Sequence, residues 1–136
     1  MRNINKIIIH CSATPEGKAF SVEDIRRWHL QRGFADIGYH FVIYLDGSVN
    51  VGRPLAKAGA HCKGYNAHSI GVCYIGGVAT DGKTPKDTRT EAQKRSLVRL
   101  ITELRQQFPN ASVHGHREFA NKACPSFNAR DEYKDL

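Results

Sequence analysis

The chain has 136 residues, 40% hydrophobic and 24% charged, enough for one domain with its own core and too few for two. No apolar run approaches the roughly 18 residues needed to cross a bilayer, so a membrane-spanning protein is excluded. The formal charge of +7 points to an anionic partner, but the 20 Lys and Arg residues are scattered along the chain, which argues against a dedicated nucleic-acid arm.

From the N-terminus, Met1 to Lys6 is followed by an apolar run that stops after Ile7-Ile8-Ile9, far short of a secretory signal core. The expectation is a protein that is cytoplasmic on synthesis. Lys6 to His10 reads as a short buried strand and Cys11 to Gly17 as a loop, by its Ser, Thr, Pro and Gly content. Ser21 three residues before Asp24 imitates a capping box, and Gly33 is a suitable stop, so a helix lies between them. Helical spacing turns Ile25 and Trp28 to the core and Arg26, Arg27 and Gln31 to water; His29 in this helix reads as structural.

Gly38 to Leu45 is rich in aromatic and β-branched residues, and Asp46-Gly47 is a hairpin turn signal before Ser48 to Val51. Alternation places Tyr39, Phe41, Ile43 and Leu45 on one face and His40, Val42 and Tyr44 on the other, which predicts a central strand covered on both sides. Gly52 to Ala67 lacks a sustained period and reads as a long loop carrying His61, Lys63 and Tyr65. Ser69 to Ile75 is another strand, closed by Gly76-Gly77, with Cys73 as a core thiol. After a turn-rich loop, Thr90 caps a helix running to Phe108 with an apolar stripe of Leu97, Leu100, Ile101, Leu104 and Phe108. Ala111 to His114 is a short last strand. This order predicts an α/β fold: a single domain over residues 1–136, with a central mixed β-sheet flanked by helices.

Candidate chemistry concentrates in Val113 to Pro125, which holds His114, His116, Lys122 and Cys124. A histidine and a cysteine close together can supply two ligands to a borderline-soft ion such as zinc. His10, at the end of its strand, is the candidate third ligand, a common place for a functional side chain in an open α/β sheet. Spacing does not choose between His114 and His116, which share parity on a strand. Each residue taken alone reads more readily as a packed histidine, a surface histidine or a structural cysteine than as a ligand. The four cysteines, at 11, 62, 73 and 124, form no paired motif and fit neither a zinc ribbon nor a disulfide framework.

Several separated segments carry a resemblance in register. His10-Cys11-Ser12-Ala13-Thr14, Gly38-Tyr39-His40-Phe41, Asp46-Gly47, Gly64-Tyr65-Asn66, Ser69-Ile70-Gly71-Val72 and Lys122-Ala123-Cys124-Pro125 resemble the type 2 N-acetylmuramoyl-L-alanine amidases. That family is related to the peptidoglycan recognition proteins and includes phage lysozymes. The resemblance implies a zinc hydrolase cutting the amide between N-acetylmuramic acid and L-alanine of the stem peptide, with one zinc per chain. Its metal ligands fall on His10, His116 and Cys124, its catalytic tyrosine on Tyr39 and its lysine on Lys122. By the same resemblance His61 is assigned to the substrate groove; the resemblance leaves the direction of His114 open, and it is carried as a candidate for the same cleft, as a substrate contact or as a contact to the ligands. The Pro125-Ser126-Phe127 continuation departs from the Pro-Gly commonest in the wider family.

Amide hydrolysis needs an activated water, a stabilised oxyanion and a proton for the departing amine. Lys122 is a candidate electrostatic stabiliser. Tyr39, with an ordinary pKa near ~10, suits hydrogen bonding better than proton abstraction. The expected partner is peptidoglycan or a muropeptide, met by a monomer released to the wall through a holin-type partner. A non-catalytic wall-binding module and a polymerase-binding regulator are the alternative functions.

Overall fold

In chain order the elements are β1 (Lys6–Cys11), β2 (Thr14–Pro15), α1 (Val22–Gln31), β3 (Phe41–Ile43), β4 (Val49–Val51), β5 (Ser69–Tyr74), β6 (Gly77–Val78), α2 (Glu91–Gln107), β7 (Ser112–Gly115) and α3 (Ala129–Tyr133). They come from a computed structural model that describes residues 2–136. Five strands form one sheet in the order β4-β3-β5-β1-β7, and β2 pairs with β6 in a second, two-stranded ribbon. β1 runs parallel to both of its neighbours, and β3 runs parallel to β5 and antiparallel to β4, so the main sheet is mixed.

Ile7, Ile8 and Ile9 have no solvent exposure because β1 is inside the sheet and covered on both faces. An unbroken apolar run is what such a parallel strand requires. Ile7 and Ile9 pack with Leu97, Ile101, Leu104 and Tyr133 from α2 and α3. Val22 and Ile25 of α1 cover the opposite face with Ile37, Val42 and Ile75. Each of these buried aliphatic side chains contributes about 1.5–3 kcal/mol by leaving water.

Both long helices start where expected. Ser21 accepts from the Asp24 backbone N–H at 3.2 Å while the Asp24 carboxylate accepts from the Ser21 N–H at 2.8 Å. Thr90 and Gln93 form the same reciprocal box on α2. The buried Gln93 amide also donates to the carbonyls of Ile43 and Ile75, tying α2 to the ends of two strands.

The hairpin forms, with corrections. Tyr44 N–H bonds to Ser48 O and Gly47 N–H to Tyr44 O, so the loop is Leu45-Asp46-Gly47, with Gly47 at φ +87°. That is a three-residue turn closed by a left-handed glycine. β3 is second from the sheet edge, not central, although Val42 and Ile43 are fully buried. Phe41 and Ile43 face α2 and Val42 and Tyr44 the α1 side, as alternation predicts, whereas Tyr39 and Leu45 break it and join Val42 on the α1 side. The β2–β6 pairing and α3 have no counterpart in the sequence reading. No helix among the described residues is long and apolar enough to cross a membrane.

Candidate metal centre

His10 ends the apolar run of β1 beside Cys73 of β5, and its ring is 1% exposed on the α1 side of the sheet. His116 opens a 3-10 turn (His116–Glu118) directly after β7, which brings it to the same end of the sheet. Its ring centroid lies 4.4 Å from that of His10. Cys124 arrives on the following loop. Its Sγ accepts the Cys11 N–H at 3.2 Å, its carbonyl accepts the Arg117 N–H at 2.8 Å, and the next carbonyl, Pro125 O, accepts the Tyr74 hydroxyl at 2.6 Å. Gly77, at φ +104°, makes room here, since a Cβ on it would lie 2.3 Å from the Cys11 sulfur.

The potential ligand atoms of His10, His116 and Cys124 all lie within 4.8 Å of one another, close enough for one ion to reach all three. Burial pushes the His10 imidazole well below its ordinary pKa, reinforced by the charges His61 and His116 would carry if protonated. Burial also lowers His116. Both rings are therefore neutral at pH 7, the state in which imidazole can act as a ligand. The hydrogen bond with the Cys11 thiol, together with burial, pushes the Cys124 thiol up, so a proton leaves this sulfur when it ligates a metal.

Of the three candidate ligands, His116 lines a cleft of about 440 Å³, together with His29, Arg32, Tyr39, His61, Lys63 and Lys122 among others. Its cationic side chains are Arg32, Lys63 and Lys122, and no carboxylate lines it among the described residues. Tyr39 sits on the wall with its ring 5.0 Å from His10. Burial and the nearby thiols of Cys73, Cys124 and Cys11 push its phenol well above the ordinary value. The hydroxyl thus stays protonated at neutral pH.

The sequence carries the same assignment: residues 1–127 match the family described as N-acetylmuramoyl-L-alanine amidase. The chain belongs to that family. The amidase is 44% identical over 124 residues to the endolysin of Escherichia phage T7, covering 91% of this chain and 82% of the relative. To a peptidoglycan-recognition protein of Drosophila melanogaster it is 35% identical over 136 residues, with coverage of 96% and 73%. Among solved structures, its fold is similar to N-acetylmuramoyl-L-alanine amidase LysC from Clostridium intestinale, with a TM-score of 0.81, 29% identity and coverage of 96% and 82%. Family membership gives the reaction: hydrolysis of the amide joining N-acetylmuramic acid to L-alanine in peptidoglycan.

Of the residues singled out in the sequence, the amidase brings His10, His116 and Cys124 together and puts Tyr39, His61 and Lys122 around them. His61 is buried, with Nδ1 2.8 Å from His10 Nε2, so it is not an exposed loop histidine. His114 stands apart from the cleft lining. Its Nε2 is 2.7 Å from Ser112 Oγ and its Nδ1 2.9 Å from a Glu118 carboxylate oxygen, so its ring fastens β7 to the 3-10 turn after it.

The amidase also brings to the cleft two α1 residues that the sequence reading did not assign to a site, His29, which it read as structural, and Arg32. His29 accepts the Gly38 N–H on Nδ1 at 2.8 Å, a structural bond, yet its ring also lines the cleft. It lies four residues after Ile25 and so on the same helix face, a signal that was available. Arg32, the C-cap of α1, lies three residues after His29 and seven after Ile25, so helical spacing puts it on the same face.

Proposed function

We propose that residues 1–136 form a single catalytic domain that binds one zinc ion through His10, His116 and Cys124 and cleaves the muramoyl–L-alanine bond of bacterial wall. The observation that carries this reading is the convergence of two neutral imidazoles and a thiol within 4.8 Å of one another, with His116 facing a cationic cleft. Nitrogen and sulfur donors without a carboxylate suit zinc better than calcium or magnesium. Bound there, zinc supplies Lewis acidity at the scissile carbonyl.

The chain's own groups then have separate tasks. Lys122 sets an ammonium on the cleft wall, where it offsets the negative charge that develops on the carbonyl oxygen. Tyr39 donates a hydrogen bond from a phenol that burial keeps protonated. Arg32 and Lys63 attract the carboxylates of the stem peptide, and His29 adds a polar edge to the same wall.

The relatives named endolysin support action on the cell wall; release to the intact wall through a lesion made by a holin-type partner is part of the proposal. One chain holds the whole ligand set, so the proposed chemistry needs no second subunit and the protein is proposed to act as a monomer. Retention of the cysteine ligand favours catalysis over a wall-binding module.

Zinc analysis by mass spectrometry combined with product identification tests the reading. The purified protein should carry about one zinc and release stem peptides with a free L-alanine amino terminus, from sacculi more readily than from soluble anhydro-muropeptides. A chelator or Cys124→Ser should abolish release. Stoichiometric zinc with no wall hydrolysis contradicts it.

A further inference from the structure

His61 reaches the site from the long loop between β4 and β5, and its ring is held in a niche that has little room for anything else. A Cβ on Gly71 would lie 2.7 Å from the ring's Cγ and Cδ2, and one on Gly59 would lie 2.7 Å from Cδ2. Its backbone is fixed as well, because Asn66 Oδ1 accepts the N–H groups of His61 and Cys62, each at 3.0 Å. Both ring nitrogens have partners: Nδ1 lies 2.8 Å from His10 Nε2, and Nε2 lies 3.2 Å from Ser69 Oγ.

A direction follows from the chemistry of neutral imidazole, which carries one N–H and one lone pair. The short contact with His61 occupies His10 Nε2, so the nitrogen of His10 left to face a metal is Nδ1. For Nδ1 to offer a lone pair, the His10 proton must sit on Nε2, which then donates to His61 Nδ1. His61 in turn carries its proton on Nε2 and donates to Ser69 Oγ.

We propose that His61 is a positioning residue of the metal centre: by accepting the His10 Nε2–H it locks the tautomer and ring plane in which His10 presents Nδ1 to zinc. The proposal rests on the zinc reading above and adds a role that the substrate-groove assignment of His61 does not contain. Outer partners of this kind typically change metal affinity by about 10–100-fold when removed. Ser69, at the start of β5, anchors the far end of the chain of bonds on a rigid strand.

The test compares His61→Asn with His61→Leu. These side chains are nearly equal in size, but Asn keeps an acceptor close to the position of Nδ1 and Leu does not. Zinc affinity is read by competition with a chromophoric chelator, and the His10 tautomer in zinc-loaded wild type by long-range nitrogen–proton NMR correlations. The expected results are His10 protonated on Nε2, a roughly 10–100-fold loss of zinc affinity in His61→Leu, and recovery to within a few-fold of wild type in His61→Asn. Equal losses in the two variants, no loss in His61→Leu, or a His10 proton on Nδ1 overturns the proposal. The tautomer measurement decides even if His61→Leu does not fold. Failure of the zinc reading itself looks different: wild type then takes up no zinc, or Cys124→Ser takes it up equally well.

Discussion

Tyr39 and His40 are neighbours in sequence that the fold puts to opposite uses. The Tyr39 ring leans on His10 at 5.0 Å and His29 at 5.4 Å, so Tyr39→Phe keeps the packing and removes only the donor. Loss of one such donor should lower kcat by roughly 10²–10³-fold. KM should barely change in steady-state assays on a defined muramyl peptide, since the bond strengthens as charge develops. His40 faces inward, accepting the Gly71 N–H on Nδ1 at 3.0 Å and donating from Nε2 to Lys57 O at 2.8 Å. Burial holds its pKa down at about 4. A base with a depressed native pKa binds fewer protons folded than unfolded, so its stabilising contribution is complete above about 6.5 and is lost as pH falls from there towards 4. Denaturant melts of the metal-free protein should show stability falling below about pH 6.5, with a contribution from this group that approaches about 1.4 kcal/mol per pH unit between pH 6 and 5. His40→Gln, which cannot titrate, should have a shallower slope by about that amount, and parallel slopes would contradict the assignment.

At the scale of elements, Arg89 joins the loop before α2 to α3. Its side chain is 2% exposed, bonds to Asp87, Glu132 and the Tyr133 hydroxyl, and lies over the Phe127 ring at 3.4 Å. Arg89→Met should cost about 3 kcal/mol, the low end for a broken buried pair, because Asp87 and Glu132 at 34% and 44% exposure regain water. Chemical denaturation with unchanged zinc content checks this, and a cost below about 0.5 kcal/mol would show the network to be incidental. The same region marks where the sequence became hard to read. β1 was legible as an unbroken apolar run, and α1 and α2 because each carries a helical period with caps or stops at its ends. β2 and β6 are two residues long and α3 is five, too short for any period, and what holds them is tertiary: a ribbon pairing and the Arg89 network. The His61–His10 contact was equally hidden, because it spans 51 residues and depends on space left by Gly59 and Gly71.

Across the whole molecule, the metal site closes the chain on itself. His10 lies on the strand that both β5 and β7 flank, while His116 and Cys124 come from beyond β7, so the ligands are brought together only when the first and last strands have paired. Local sequence could therefore nominate ligands but not choose between His114 and His116; the 3-10 turn after Gly115 makes that choice by directing His116 into the cleft and leaving His114 to bond Ser112 and Glu118. The net charge of +7 finds one outlet at this place, where Arg32, Lys63 and Lys122 line the cleft. Zinc X-ray absorption of the purified protein tests the arrangement most directly. The account predicts a first shell with one sulfur at about 2.3 Å and two imidazole nitrogens at about 2.0–2.1 Å, with the sulfur lost in Cys124→Ser. A shell without sulfur in the wild type, or one unchanged in Cys124→Ser, would contradict it.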